Sequence, residues 1–140
     1  MTIEEKIEAA LFTHVVSLDL DDDVPIAWPN VPFPNEGQPK PTTYIEVRHF
    51  RNANGRLFLK GSNAHLRQGI LQLTVITPLN AGPSNVTGLA GQIAEHFPAD
   101  LALFEEGVKL RIQAASDVLS PDKTDVSWDV PVSVRYEALI

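Results

Sequence analysis

Four histidines are the side chains of this sequence best suited to acid–base chemistry or metal binding. They are His14, His49, His65 and His96, and the chain contains no cysteine. A helical zinc site places two ligands one turn apart, and structural zinc sites commonly use thiolates. The four histidines fall instead on four different predicted elements. We expect them to be ordinary surface or half-buried side chains, and we expect no metal or cofactor.

Three aspartates alternate as the ligands of a calcium loop do. They are Asp19, Asp21 and Asp23. An EF-hand loop beginning at Asp19 would need glycine where Val24 stands and glutamate where Asn30 stands. The pattern therefore predicts a solvated acidic loop rather than a calcium site.

A short segment at 82–86 begins like the turn that presents a catalytic serine. It lacks the final glycine and the preceding strand of that motif, so we interpret Ser84 or Asn85 as a helix cap. Gly88 and Gly91 follow inside the predicted helix, without the lysine and the loop of a phosphate-binding motif. We expect them to allow close packing of the helix on a neighbour. The sequence thus offers no catalytic residues.

Charge is distributed unevenly along the chain. The formal net charge is −7, which argues against a nucleic-acid partner. Residues 40–67 nevertheless carry a charge of about +5, because Glu46 is their only acid, and the remainder carries about −12. The basic residues of this segment are Lys40, Arg48, Arg51, Arg56, Lys60 and Arg67. Two interpretations stay open: a solvated hairpin, or a patch that pairs head to tail with the acidic part of another copy.

Two large aromatic residues stand in or beside a proline-rich segment. Trp28 precedes, and Phe33 lies within, residues 29–41, which contain five prolines. That density excludes helix and sheet interior and predicts an extended loop. The two aromatic side chains either close one end of the core or serve as anchors of a protein interface.

Two segments have the apolar spacing of amphipathic helices. The first is predicted over residues 2–16, where Thr2 and Glu5 form a capping box. The second follows Ser84 and is stopped by Pro98.

Alternating apolar residues predict the strands. Asn54-Gly55 is a tight-turn signal, after which 57–60 is expected to return as a strand and 61–63 to form a second turn. Gly69 suggests a bulge or a close backbone approach within the longest strand. The predicted strands are 24–28 at an edge, one from residue 43, 57–60, 65–77, 108–114 and 130–138.

The order of these elements predicts an α+β fold in one domain, residues 1–140. We expect a largely antiparallel sheet of five to six strands, with a mixed sheet as the alternative, and two helices packed on one face. The chain has neither a secretory signal nor an apolar run of membrane-spanning length. These features predict a soluble protein without a membrane partner.

Five stretches of the sequence together form a recognisable pattern. They are residues 28–33 (Trp-Pro-Asn-Val-Pro-Phe), 67–75 (Arg-Gln-Gly-Ile-Leu-Gln-Leu-Thr-Val), Pro78 through Gly82, 96–98 (His-Phe-Pro) and 130–134 (Val-Pro-Val-Ser-Val). Through these stretches the sequence resembles the small phage tail-terminator-like proteins, a group related in fold to the lambda tail protein U. The resemblance covers nearly the whole chain in order and in loop lengths.

This resemblance implies a structural protein of the virion tail that assembles in the bacterial host cytoplasm, without enzymatic activity or a cofactor. It implies a homo-oligomeric ring, a hexamer, that caps the tail tube and ends its polymerisation. The implied partners are other copies of the chain, the major tail tube protein and the head-completion or connector proteins. The resemblance assigns no contact residues. From charge and aromatic content we propose as interface residues Trp28, Phe33, Arg48, Arg51, Arg56, Lys60 and Arg67.

Two alternatives remain. The protein could be another head–tail connector or minor tail component. It could also be a small-molecule-binding or hydrolytic domain, which would require polar side chains to converge, for example His49 and His65 beside Glu46.

Overall fold

The computed structural model describes residues 1–20, 23–35, 37–61 and 64–140. Asp21, in the predicted acidic loop, and most of the predicted turn at 61–63 lie outside the described residues. The elements of the described chain are α1 Ile3–Val16, β1 Ile26–Ala27, β2 Tyr44–Arg51, β3 Gly55–Arg56, β4 His65–Pro78, α2 Ser84–His96, β5 Ala102–Glu105, β6 Val108–Ile112, β7 Asp117–Val118, β8 Asp122–Lys123 and β9 Ser127–Leu139.

The described strands form one curled sheet in the order β1-β2-β4-β9-β6-β5. The short strand β3 pairs with β4, and β7 and β8 pair with β9. The pair β1–β2 is parallel, whereas the other pairs are antiparallel. The α+β class is therefore confirmed. The sheet is mixed, and its nine described strands exceed the five to six expected, because several two-residue strands are too short to show a periodic pattern.

Both helices share one apolar core with alternate residues of the three longest strands. Leu11 of α1 and Ile93 of α2 are fully buried, as are Leu73 of β4 and Val132 of β9. Leu73 and Val132 are cross-strand partners, so their side chains point to the same face of the sheet. Leu71, Leu73 and Val75 alternate along β4 and are all fully buried, so they form its inward face.

The helices begin differently. In α1 the Thr2 hydroxyl accepts a hydrogen bond from the Glu5 amide and the Glu5 carboxylate accepts one from the Thr2 amide, so the predicted capping box is confirmed. In α2 the cap is Pro83, without a side-chain hydrogen bond, so the predicted cap at Ser84 or Asn85 is wrong. Neither helix of the described chain combines the length and apolar character of a membrane span.

The two glycines of α2 do not serve close packing. A Cβ atom added at Gly88 or Gly91 would meet no other atom within 4 Å. The expected close approach to a neighbouring element is therefore wrong at both positions.

Strand β2 pairs with β4 rather than with the predicted returning strand at 57–60, so the hairpin differs from the prediction near its tip. Arg51 pairs with Gly69, and Arg56 pairs with His65, so β3 continues along the same edge of β4 as β2. The register moves by one residue between these pairs, which indicates a bulge around Asn54. Residues 58–60 form bends and residue 57 belongs to no strand, so the predicted returning strand at 57–60 is wrong.

One hairpin was missed by the sequence pattern. Strand β5 pairs with β6 through Glu105 and Val108. The two connecting residues, Glu106 and Gly107, both have positive φ, which is typical of a tight hairpin turn. Strand β6 ends at Ile112, two residues before the predicted end.

Candidate interaction surfaces

Trp28, which precedes the proline segment, and Phe33, which lies within it, take different positions. The Trp28 ring lies 5.1 Å from the ring of Phe12 and packs on the core, which fits the closing of one core end. The Phe33 ring lies 4.9 Å from the ring of Tyr44 on β2. Both line an open groove of about 620 Å³ between the proline segment and β2, which we name the aromatic groove.

Two cations flank the aromatic groove. The Arg48 guanidinium lies 5.0 Å from the centre of the Phe50 ring, and the Lys40 ammonium lies 5.5 Å from that of Tyr44. Glu46 also lines the groove. Aromatic and arginine side chains are enriched at protein interfaces because they combine large contact area with polar groups. The groove therefore has the composition of a protein contact and unites Trp28, Phe33 and Arg48.

Two of the predicted interface cations are paired within the chain. Arg51 Nη2 lies 2.5 Å from Glu8 Oε2, and Arg67 Nη1 lies 2.6 Å from Glu4 Oε1. Both carboxylates belong to α1, so these pairs join the hairpin to the helix. Part of the basic charge of the hairpin is therefore neutralised inside the molecule.

Arg56 and Lys60 lie at the tip of the hairpin. Arg56 donates hydrogen bonds to the carbonyl oxygens of Phe58, at 3.0 Å, and Leu59. These bonds hold the tip in a compact bend while Leu59 remains 97% exposed. Lys60 is also exposed. We name residues 56–60 the hairpin tip.

His49 lies in a polar network beneath α1. Its side chain is 3% exposed, with Nδ1 2.9 Å from Glu8 Oε2 and Nε2 2.6 Å from the Tyr136 hydroxyl. Burial lowers the pKa of His49, although the hydrogen bond to Glu8 opposes this shift. Burial also raises the pKa of Tyr136 to about 12. The arrangement therefore assigns a neutral histidine that donates from Nδ1 and accepts the tyrosine O–H at Nε2.

Gly69 provides the space for this network. It is the cross-strand partner of Tyr136. A Cβ atom at position 69 would lie 2.6 Å from the Tyr136 hydroxyl and 2.5 Å from the Phe50 carbonyl oxygen. The close backbone approach predicted from this glycine is confirmed, and it lets the tyrosine reach His49.

The other histidines also have structural roles. His14 and His96 stack with ring centres 4.0 Å apart at the ends of α1 and α2. Each donates from Nε2 to the carbonyl oxygen of the other, at 2.6 Å and 2.8 Å, which satisfies carbonyls left open at helix ends. Burial lowers the pKa of His14. His65 contacts the Gly61 carbonyl oxygen at 3.1 Å.

The polar pocket required for a hydrolytic domain is not formed. His49 pairs with Leu71 of β4, six residues from His65, so the two histidines are roughly 20 Å apart. Glu46 points to the opposite face of β2 from His49, because strand side chains alternate. Within the described ranges no three histidine or carboxylate side chains are grouped as metal ligands.

These features define a small α+β protein whose exposed aromatic and charged groups form surfaces suited to contact with other proteins. Residues 6–136 match the family described as phage tail terminator protein. The chain belongs to the phage tail terminator family, so the resemblance drawn from its sequence is confirmed. This membership supports a structural role in the phage tail.

Two further comparisons complete these findings. The chain is similar to a solved structure whose name states no function, with a TM-score of 0.78 and 20% sequence identity. That match covers 100% of this chain and 98% of the other. At this identity it shows the fold alone. No curated protein sequence matches the chain.

Sequence reasoning missed several residues that build these surfaces. The charge pattern includes Lys40 only as one of the basic residues, and the strand pattern does not single out Tyr44, although both line the aromatic groove. Glu8 had no assigned role. The signal for Lys40 and Tyr44 was their place at the end of the proline segment, which must fold back beside the strand that follows it.

Proposed function

We propose that this protein caps the phage tail tube as a homo-oligomeric ring, a hexamer, ends tube polymerisation and presents a surface to the head-completion proteins. Family membership over residues 6–136 is the observation that carries this proposal. The ring, the tube and the head-completion proteins require at least two contact surfaces on one small chain. The aromatic groove and the hairpin tip meet that requirement.

The aromatic groove is the surface that we assign to a tail partner, the tube protein or a head-completion protein. Arg48 is exposed and lies over the Phe50 ring, and it forms no ion pair with the described residues, so it can bind an acidic partner without breaking an internal ion pair. The groove also offers Trp28 and Phe33 as large contact groups. Arg51 and Arg67 are less suited to this role, because α1 already neutralises them.

Tube growth provides the test. Purified tube protein is polymerised with and without the terminator, and tube lengths are measured by electron microscopy. We expect the parent protein to shorten the tubes and Arg48→Glu to lose at least about tenfold in capping potency, as a lost interface charge of about 1.4 kcal/mol would give. Lys123→Glu is the matched control, because Lys123 is exposed on β8, away from the groove.

Two results would count against the proposal. Tubes that grow to the same lengths at saturating concentrations of the parent protein would contradict capping. Arg48→Glu and Lys123→Glu change the net charge equally. If both lost the same capping potency, the loss would not depend on the aromatic groove, and the groove would not be the contact surface.

A further inference from the structure

The hairpin tip exposes apolar side chains that a free surface rarely presents together. Leu57 is 55%, Phe58 46% and Leu59 97% exposed. Three consecutive exposed apolar residues on a protruding bend are typical of a protein contact rather than of solvent-facing surface. The tip also carries the cations Arg56 and Lys60. It therefore has the form of an apolar plug with a positively charged rim.

A groove of complementary character lies beside β1. Its volume is about 370 Å³, and Leu18, Leu20, Val24 and Ile26 contribute apolar walls. Asp19 and Asp23 line the same groove, and neither has an ion-pair partner among the described residues. We name it the acidic groove.

The tip and the acidic groove lie at opposite ends of the sheet. Arg56 pairs with His65, at the start of β4, whereas Ile45, which lines the groove, pairs with Val75. These positions are ten residues apart along one strand, which corresponds to roughly 33 Å. A tip therefore cannot reach the groove of its own chain, but it can reach that of a second copy.

We propose that the hairpin tip of one copy docks into the acidic groove of the next copy and that this head-to-tail contact joins the subunits of the ring. Leu59 and Phe58 pack against the apolar side chains that line the groove, while Arg56 and Lys60 face Asp19 and Asp23. Because the two surfaces differ, each copy uses both, and such a contact closes into a ring when the rotation between copies permits.

Charge selects the acidic groove over the aromatic groove as the acceptor. The aromatic groove is larger, but Lys40 and Arg48 line it and would repel the cations of the tip. The acidic groove offers two carboxylates to the same cations. A volume of about 370 Å³ falls within the ~300–1,000 Å³ range of pockets that bury apolar groups.

Directed cross-linking tests the contact, because the chain has no cysteine of its own. One preparation carries Leu59→Cys and the other Val24→Cys, and the two are mixed with a short thiol-reactive cross-linker. We expect covalent dimers from this mixture. The control replaces Val24→Cys by Val126→Cys. Val126 is 80% exposed and directly precedes β9, at the same end of the sheet as the acidic groove. Equal dimer yields in the two mixtures would overturn the proposal.

A charge swap gives an independent measurement. Lys60→Glu and Asp23→Lys should each weaken self-association about tenfold at low salt. The double variant should recover most of the parent association, because each contact then pairs the exchanged charges. Added salt should reduce all of these differences, since charges are screened over about 10 Å at 0.1 M. Single variants that associate like the parent would also overturn the proposal.

This inference rests on the proposed ring, yet the two can fail separately. If the parent protein assembles and caps tubes, but the specific cross-link does not form and the charge swap has no effect, only this contact is refuted. If the parent protein does not assemble, either alone or on tubes, and does not cap tubes, both the ring and the contact are refuted.

Discussion

Replacing Gly69 by alanine should destabilise the protein strongly. The added Cβ atom would lie 2.5 Å from the Phe50 carbonyl oxygen and 2.6 Å from the Tyr136 hydroxyl. The tyrosine could move only by giving up its 2.6 Å hydrogen bond to His49. The Phe50 carbonyl belongs to the backbone of the neighbouring strand and cannot move without shifting the sheet.

The expected loss of stability follows from these two contacts. Overpacking of a well-packed site costs about 1–3 kcal/mol, and a clash with strand backbone lies at the upper end. The buried histidine nitrogen left without its donor adds about 1 kcal/mol. Gly69→Ala should therefore lower the free energy of unfolding by about 3–4 kcal/mol.

Gly88→Ala is a control with the same chemical change and the opposite expected sign. A Cβ atom at Gly88 meets nothing within 4 Å, and the residue lies inside α2. Alanine should then stabilise the protein by about 1 kcal/mol through helix propensity. The difference between the two variants should be about 4–5 kcal/mol.

Urea unfolding followed by circular dichroism measures both variants, at a low protein concentration that limits self-association. On the thermal scale about 1 kcal/mol corresponds to a Tm change of ~2–4 °C for a chain of this size. A Gly69→Ala protein as stable as the parent would refute the close approach at Tyr136. A destabilised Gly88→Ala protein would show that α2 packs more tightly at this position than described.

The remaining predictions concern charged groups around α1 and at the aromatic groove. Burial lowers the pKa of His49 in the folded protein below that of the same side chain in the unfolded chain. As the pH drops below about 6.5, His49 therefore binds protons more readily in the unfolded chain, and the free energy of unfolding should fall. Urea midpoints at pH 7.5 and 5.5 measure this loss, and His49→Gln should reduce its pH dependence. Arg51→Glu should cost about 1 kcal/mol by facing Glu8, whereas Arg48→Glu should change the urea midpoint little.

The sequence correctly predicted those features of the fold that depend mainly on nearby residues. The capping box of Thr2 and Glu5 marks the start of α1 because both partners are three residues apart. The alternation around Leu73 gives the inward face of β4 because strand side chains have a period of two. Gly69 was identified because a glycine inside a long apolar strand needs a special reason.

The errors occurred where distant residues decide the structure. Asn54-Gly55 is typical of a tight turn. The chain instead stays paired with β4 on both sides of Asn54, so only a bulge forms there. Two-residue strands such as β7 exist only because β9 offers them an edge. The pairing of Arg51 with Glu8 joins residues 43 positions apart, which no local pattern can predict.

The ion pairs of Arg51 and Arg67 change how the uneven charge of the sequence is interpreted. Six basic residues suggested one continuous patch on the hairpin. Glu4 and Glu8 neutralise Arg67 and Arg51, which lie in the middle of it. The cations that remain fall into two groups, one at the aromatic groove and one at the hairpin tip.

This division matters for assembly because a single continuous patch would attract every acidic partner equally. Two separate groups, each joined to different apolar side chains, can bind different surfaces. The groove adds the rings of Trp28 and Phe33 to its charge, whereas the tip adds Leu59. The proposed function, which includes contacts with other copies and with a tail partner, requires such a distinction, and specificity then comes from repulsion as much as from attraction.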